Sequence, residues 1–480
     1  MAGLSSALNA AKTSLEVNQK TIEVIGNNIS NVNTEGYSRQ QTVLETYPSL
    51  NFGDFFVGQG VKITDVSRQH DVFVEGQIQE KAAEFGYQEA MSSPLSELER
   101  IFSVTEDNLS SDIDTFFDSL SELSADPSDL VQRNNVILQG NVLADSFNDI
   151  MDNLDSVADD INNTLASDID SLNSKFVELA DLNDRIFQIE IHGQTANSAR
   201  DERESLIKDL AMTIGAETYE TENGMVSVQL PNGLPLVEGT MAMTITSETV
   251  GSDLVISLEA GGVTRELSES SFGGQFKGLM ELRDSFIPEL EDGMDQLAYE
   301  LSVQINLQHM AGAGLDSSTD NLFFDMPPNY IASPPADSPT ATEYEGAARA
   351  MNVAITDPNQ IAAAAAPDSS LDSVAQGDNR NALLLANIGS NYLVNGTDSF
   401  TSLYGQMTAK VGVESNQNEL SLSGAEDALV QLENLRDGLS GVSLEEEMIN
   451  LIQFQRGFES AAKFLSTIDE MMTTILSIKQ

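Results

Sequence analysis

The chain has 480 residues, no Cys, and 76 acidic against 23 basic residues, which gives a formal net charge of −53. A chain of this length is expected to divide into several domains. Its strong negative charge repels nucleic acids and anionic lipid surfaces, so we expect neither a nucleic-acid nor a membrane partner. The absence of Cys excludes disulfides, a thiolate nucleophile and Cys-ligated metals.

The charge is unevenly distributed along the chain. Residues 1–40 carry three basic and three acidic residues, and residues 441–480 carry three basic and six acidic ones. The middle of the chain therefore holds −50 of the −53. Since like charges repel when copies of a chain come together, this pattern favours the two ends as the surfaces that pack against other copies.

Residues 4–32 contain an unbroken heptad pattern. Its positions recur with alternating steps of four and three, which is typical of a helix in a coiled coil. All of them are apolar except Asn18. Charged residues between them break up any signal-peptide core, so we expect no cleaved leader. The predicted N-terminal seam consists of Leu4, Leu8, Ala11, Leu15, Ile22, Ile25, Ile29 and Val32.

Residues 444–475 contain a similar pattern. Ser443 is a predicted helix N-cap, with the acidic Glu446 three residues later. Because an amphipathic helix stands at each end, we predict that residues 1–36 and 441–480 pair as one terminal coiled-coil domain. The predicted C-terminal seam includes Leu444, Met448, Leu451, Phe458, Ala462, Leu465, Ile468, Met472 and Ile475.

Most of the remaining chain has a helical pattern. Apolar residues from Leu143 to Ile189 recur about every 3.5 residues, and a helical pattern resumes at Phe276–Met310. We predict a helical-bundle middle domain formed by residues 37–215 and 273–440. Within it, the Gly- and Pro-rich residues 311–345 are predicted to form a long loop.

Residues 216–272 have a different pattern. Met225–Leu230, Met241–Ile245 and Leu254–Leu258 alternate apolar and polar residues or are rich in β-branched ones, and turn sequences such as Gly261-Gly262 lie between or after them. We therefore predict a small outer β domain inserted into a mainly α-helical protein.

No catalytic constellation is evident in the sequence. His70, His192 and His309 lie far apart, and none has the HExxH spacing that places two imidazoles on one helical face. The sequence also contains no Gly-rich loop followed by Lys, which is the pattern that indicates a phosphate site. We therefore expect no enzyme activity, no cofactor and no metal.

Residues 27–39 read Asn-Asn-Ile-Ser-Asn-Val-Asn-Thr-Glu-Gly-Tyr-Ser-Arg. Gly36 can adopt the positive φ that ends a helix, and Tyr37 can fold back on the last turn. Taken alone, these features are also consistent with an ordinary helix C-terminus on a coiled coil.

The same residues resemble the N-terminal signature of bacterial flagellar axial proteins, an Asn-Asn-x-Ala-Asn-x-x-Thr-x-Gly-Phe/Tyr pattern in which Ser30 here replaces Ala. The segments Asn197–Leu210, Gly224–Gly239 and Ser443–Lys479 also resemble that family, and the Tyr-Ser-Arg-Gln sequence after Gly36 narrows the resemblance to hook-associated protein 1 (FlgK). The signature residues are Asn28, Asn31, Thr34, Gly36, Tyr37 and Arg39.

The resemblance implies a structural subunit of the flagellum that forms the hook–filament junction and is required for filament attachment and assembly. It also implies self-assembly into a ring or tube, contacts with hook protein and hook-associated protein 3, and a FlgN-type export chaperone. The implied location is the extracellular flagellum, reached by type III export without a cleaved signal peptide.

Three alternatives remain at this point. Another axial protein, namely hook-associated protein 3, flagellin or hook protein, would share the signature. An acidic enzyme or adhesin on a helical stalk would need a pocket with converging polar groups within residues 216–375. An intracellular coiled-coil scaffold would have no reason to carry the Asn28–Tyr37 signature.

Overall fold

The computed structural model describes residues 2–52, 55–103, 108–221, 224–251, 253–330, 341–366, 375–391, 394 and 397–478. Helices dominate these ranges. A π-helical turn, Leu282–Phe286, joins the sixth helix to the seventh. The α-helices are α1 (Ala2–Ser30), α2 (Val72–Ile101), α3 (Leu109–Ala125), α4 (Leu130–Glu190), α5 (Asn197–Ile214), α6 (Gly274–Glu281), α7 (Ile287–Met310), α8 (Ala341–Tyr344), α9 (Arg380–Asn391), α10 (Phe400–Ser440) and α11 (Leu444–Ile478).

The strands are short and pair antiparallel. They are β1 (Gln40–Thr46), β2 (Leu50–Phe52), β3 (Phe55–Val57), β4 (Val61–Arg68), β5 (Glu217–Glu220), β6 (Val226–Gln229), β7 (Pro235–Glu238), β8 (Met241–Ala242), β9 (Thr244–Val250), β10 (Asp253–Ala260), β11 (Val263–Leu267), β12 (Gly312–Ala313) and β13 (Ala364–Ala365). β1 pairs with β4, β2 with β3, and β12 with β13; β5 to β8 form one sheet in chain order, and β10 lies between β9 and β11 in another.

The helix ends follow from local sequence. The backbone N–H of Glu446 donates to Ser443 Oγ at 3.5 Å, so the predicted N-cap of α11 is confirmed. Gly193 has a φ of 75° just beyond the end of α4, the left-handed conformation that commonly ends a helix.

The predicted β insertion in a mainly helical protein is confirmed, because β5 to β11 lie between residues 217 and 267. The turn from β10 to β11 uses Gly261 and Gly262 with φ values of 59° and 80°, which residues with a Cβ rarely adopt. Within residues 311–345, residues 331–340 lie outside the described ranges, and the described part contains only β12, isolated bridges and α8.

The ribbon formed by β1 and β4 was not predicted, since residues 37–215 were assigned to the helical domain. Its apolar residues do not alternate cleanly: Val43 and Leu44 are adjacent and both exposed. A register shift between them accommodates both on the ribbon surface. β1 and β4 pair although their residues lie about twenty positions apart in the chain, and a local sequence pattern does not reveal such pairing.

The chain divides into two compact units. The first consists of Met1–Tyr87, Ser167–Lys277 and Ser423–Gln480, and the second of Gln88–Ala166 and Gly278–Leu422. The first unit contains both chain ends together with the β insertion. This grouping differs from the predicted division into terminal, helical and β domains, and that division stays a prediction.

Two aliphatic clusters form part of the core of the first unit, which also buries Phe176, Phe272 and Phe276. Residues spaced by four on α2 pack against α10, and residues of α4 pack against the start of α5, because this spacing places side chains on one helical face. The two clusters are Val74, Ile78, Ala82 and Leu429, and Leu182, Ile186, Ala196 and Ala199.

The core of the second unit is aromatic. Phe116 is fully buried; its ring centroid lies 5.4 Å from that of Phe323 and 5.7 Å from that of Phe324. Phe117 stacks on Phe400 at 6.1 Å. These rings join α3, the start of α10 and the loop after β12.

Buried side chains that bond to backbone groups complete this second core. His309 is buried, and its Nδ1 lies 2.7 Å from the carbonyl oxygen of Asn321 while its Nε2 accepts the N–H of Ala362 at 2.9 Å. Arg133 is also buried and donates to the carbonyl oxygens of Pro127 and Ile361, both at 2.8 Å. The side chains of His309 and Arg133 therefore hold the neighbouring loops in place by binding their backbone atoms.

Candidate functional site

The signature turn, residues 27–39, ends α1 and is fixed by one buried amide. Asn28 Nδ2 donates to the carbonyl oxygen of Gln40 at 2.9 Å and to Glu447 Oε2 at 3.2 Å. Asn28 Oδ1 accepts the N–H of Gln40 at 3.0 Å and the hydroxyl of Tyr37 at 2.9 Å. Because Asn offers two donors and one oxygen with two lone pairs, this side chain is fully satisfied and links α1, β1 and α11.

Arg39 ties the signature turn to α11 by charge. Its Nε donates to Glu447 Oε1 at 2.7 Å, and its Nη1 donates to Glu446 Oε2 at 2.8 Å. Its backbone N–H donates to the carbonyl oxygen of Ser440 at 2.8 Å. The Glu447 side chain is only 2 % exposed. A carboxylate at this depth requires partners, which Arg39 and Asn28 supply.

A second ion-pair network fixes the turn to α5. The N–H of Ser38 donates to Asp201 Oδ2 at 3.2 Å. Arg68, at the end of β4, donates to Asp201 Oδ1 at 2.7 Å and binds both carboxylate oxygens of Glu204. The backbone of the turn is thus bound to α5 through Ser38, besides its contacts with α11.

The protonation states follow from this burial. Burial, with the charges of Asp201 and Glu447, raises the pKa of Tyr37 to about 12, so its hydroxyl remains a donor to Asn28. Burial also raises the pKa of Asp201, against the opposing effect of Arg68. For Arg68 itself, burial disfavours the charge, but the bonds to Glu204 and Asp201 raise its pKa overall.

The other signature residues shape the turn itself. Asn31 Nδ2 donates to the carbonyl oxygen of Asn27 at 2.9 Å, and the hydroxyl of Thr34 lies 3.3 Å from Asn31 Oδ1. Gly36 has a φ of 74°, the left-handed conformation that reverses the chain after the helix. These three residues therefore set the path that brings Tyr37 and Arg39 to their partners.

The structure places the predicted N-terminal seam at the edge of the buried face of α1. Of the seam residues, Ala11 and Ile25 are buried, whereas Leu4, Leu8, Leu15, Ile22 and Ile29 are half-buried. The face turned inward is set by smaller and polar residues. The buried positions are Ser6, Ala11, Val17, Thr21, Ile25 and Asn28.

The predicted C-terminal seam is divided between two faces of α11. Ile468 is buried, and Leu451 and Leu465 are half-buried. Leu444, Met448 and Phe458 are exposed, as are the neighbouring Ile449 and Ile452. In a single chain, α11 therefore presents apolar side chains to its surroundings, which is typical of a surface that another protein covers.

Glu447, Asp201 and Arg68 were not singled out as site residues from the sequence. Glu447 lies in a run of three acids at the start of α11, where carboxylates usually balance the helix dipole. The signal that separates it from its neighbours is the pairing with Arg39 across 408 residues of chain, and a single sequence does not contain that signal.

His70, Glu75 and Glu204 form the group of possible metal ligands in the described ranges, with ligand atoms within 4.8 Å of one another. Both oxygens of Glu204 already bind Arg68. The guanidinium of Arg68 therefore already supplies a positive charge to this cluster. Burial, and the charge of Glu204, raise the pKa of Glu75 to about 7, and burial lowers the pKa of His70.

Comparison with known protein families gives three matches in chain order. Residues 4–37 match "Flagella basal body rod protein", residues 95–324 match "Flagellar hook-associated protein FlgK helical domain", and residues 439–478 match "Flagellar basal body rod FlgEFG protein C-terminal". The first and last of these ranges contain the two helices that the signature turn joins.

Full-length relatives agree with these matches. The chain is 26% identical to flagellar hook-associated protein 1 of Bacillus subtilis (strain 168), covering 98% of this chain and 97% of the relative. It is 24% identical to the protein of the same name from Escherichia coli (strain K12), covering 99% and 100%.

A solved structure shows the same fold. The flagellar hook junction protein FlgK from Burkholderia pseudomallei superposes with a TM-score of 0.66 at 14% identity, covering 76% of this chain and 100% of that one. None of the described helices combines the length and apolar character that crossing a bilayer requires.

Proposed function

The chain belongs to the FlgK family of flagellar hook-associated proteins, and on this premise we propose that it is a structural subunit of the hook–filament junction, required for filament attachment. The observation that carries the proposal is the signature turn, in which Asn28 and Arg39 bind Glu447. This contact joins the two chain ends in one structure, in which apolar side chains of α11 remain exposed.

We infer that α1 and α11 form a coiled-coil stalk. They lie close together: a Cβ added to Gly457 would be 2.7 Å from Asn18 Oδ1. Exposed seam residues such as Met448 and Phe458 then remain for neighbouring copies. Burying these side chains in a ring or tube removes apolar surface from water, which stabilises the assembly by roughly 25 cal/mol per Å².

The proposed partners follow from the same exposed helices. Hook protein lies on one side of the junction and hook-associated protein 3 on the other. A FlgN-type chaperone covers the apolar face of α11 before type III export, since an uncovered stripe promotes self-association. The protein then acts outside the cell, in the flagellum. This role requires no catalytic step.

Deletion of the gene in the parent bacterium tests the function directly. We expect hooks without filaments and flagellin in the medium, restored to filaments by the wild-type gene. Filaments on the deletion strain would contradict the proposal.

Substitution of Ile25 by Asp tests the role of the terminal helices. The buried carboxylate would have no partner, which costs several kcal/mol, so we expect an exported protein that does not retain filaments. The matched control is Glu16→Ala on the same helix; Glu16 is exposed and forms an ion pair with the exposed Lys12. Normal filaments with Ile25→Asp would show that the terminal helices do not form the assembly surface.

A further inference from the structure

An open groove of about 730 Å³ lies beside the signature turn in the first unit. The turn forms one wall, and α4 and α5 form the other. Leu206 and Met212 give the groove an apolar part. Its size is that of a site for several side chains of another protein.

The groove contains two carboxylates without an ion pair in the part of the chain that the structure describes. These are Glu35 in the signature turn and Glu178 in α4, both exposed. The other acids of the groove already have cations. Those pairs are Asp201 with Arg68, Glu202 with Arg185, and Asp209 with Lys175.

The outer face of α11 carries complementary groups. Ile452, Arg456 and Lys463 follow one another at steps of four and seven, which place them on one side of a helix. All three are exposed, whereas Ala461 and Ile468 on the opposite side are buried. Neither Arg456 nor Lys463 forms an ion pair within the described ranges, although acids outnumber bases 76 to 23 in the chain.

We propose that the groove binds the outer face of α11 from a second copy of this chain, with Arg456 and Lys463 pairing with Glu35 and Glu178. The two cations lie about 10 Å apart along the helix. Ile452 packs on the apolar part of the groove. The charge pairs set the register of the contact rather than its affinity.

This inference rests on the proposed function, because only an assembling chain brings copies together, and it specifies how they join. The groove and the helix face are different surfaces, so the contact is head-to-tail. A head-to-tail contact repeats from copy to copy and generates a ring or a helical array. The assembly therefore needs no second type of contact to continue beyond two copies.

Charge reversal with rescue tests the contact. We expect Arg456→Glu with Lys463→Glu to reduce the number of attached filaments about tenfold or more, since like charges then face each other. Glu35→Lys with Glu178→Lys should do the same. The fourfold variant, which exchanges the charges, should restore filaments. All four positions are exposed, so thermal unfolding of each variant should match the wild type.

A second measurement identifies the residues in contact. Carbodiimide joins an amine to a carboxylate only when the two touch, so isolated flagella should give an intermolecular Lys463–Glu178 or Lys463–Glu35 amide by mass spectrometry. Lys463→Arg keeps the charge and should abolish that product. Normal filaments with either double reversal, or no rescue by the fourfold variant, would overturn the contact. If wild-type chain is absent from the flagella, the proposed function fails instead.

Discussion

The two units of the protein bury polar groups in different ways. In the first unit, charged residues far apart in sequence meet, as in Arg39 with Glu447 and Arg68 with Asp201. In the second, the buried His309 and Arg133 bond to backbone atoms, and the ring of His309 lies edge-on to that of Phe323. The first unit, besides its own buried clusters, therefore depends on the chain ends being brought together, whereas the contacts named for the second unit all lie within its core.

The largest effect is expected from the aromatic core. Phe116→Ala removes a fully buried ring and should lower the free energy of unfolding of the second unit by about 3–5 kcal/mol. Urea denaturation measures this. The control Val131→Ala lies on an exposed surface of the same unit and should change stability by less than about 0.5 kcal/mol.

Loss of the ion pair between Arg39 and Glu447 should destabilise the chain ends and leave the second unit unchanged. Glu447→Ala leaves Arg39 without its buried partner, and we expect the docking of α1 on α11 to weaken by about 3 kcal/mol. Hydrogen exchange should become faster over residues 4–32 and stay unchanged in the second unit.

Glu446 provides the matched control for this substitution. It also binds Arg39, but its side chain is 62 % exposed, so Glu446→Ala should cost at most about 1 kcal/mol. Equal effects of the two substitutions would mean that burial of Glu447 is not what holds the chain ends.

The second unit should also be sensitive to acid through His309. Burial lowers the pKa of His309 from 6.5 to about 4. As the pH falls from 6.5 to 4, the unfolded chain binds a proton that the folded chain does not, so stability is complete above pH 6.5 and declines by about 3 kcal/mol at pH 4.

Urea denaturation of the second unit between pH 7 and pH 4 measures this decline. His309→Gln does not titrate and should show a smaller pH dependence, although it is less stable at pH 7. An identical pH dependence in both proteins would assign the acid sensitivity to other groups.

The smallest effects concern two glycines of the N-terminal region and have opposite signs. Gly36→Ala forces a Cβ into the left-handed conformation and should weaken the turn by about 1–2 kcal/mol. Gly26→Ala lies within α1, where a Cβ has nothing within 4 Å, and should stabilise the helix by up to about 1 kcal/mol. Circular dichroism melts of α1 would distinguish the two; the same sign for both would contradict this.

The sequence predicts the parts of the structure that depend on local patterns. The apolar repeats place α1 and α11, the capping residue places the start of α11, and the β-branched segments locate β6 and β10. The ribbon of β1 and β4 was missed, because its strands are partly exposed and pair through a distant register. The signature residues were found through the resemblance, but their contact with Glu447 was not predicted, since it joins positions that lie hundreds of residues apart.

The bond between Asn28 and Glu447 spans 419 residues of chain. A contact of this span closes almost the whole molecule into a loop, and such contacts form late in folding because the intervening chain must first be ordered. Synthesis delivers the N-terminal end before the C-terminal one. The signature turn at the end of α1 therefore lacks its partner Glu447 until α11 has been made. Formation of this contact is thus a late step in folding of the chain.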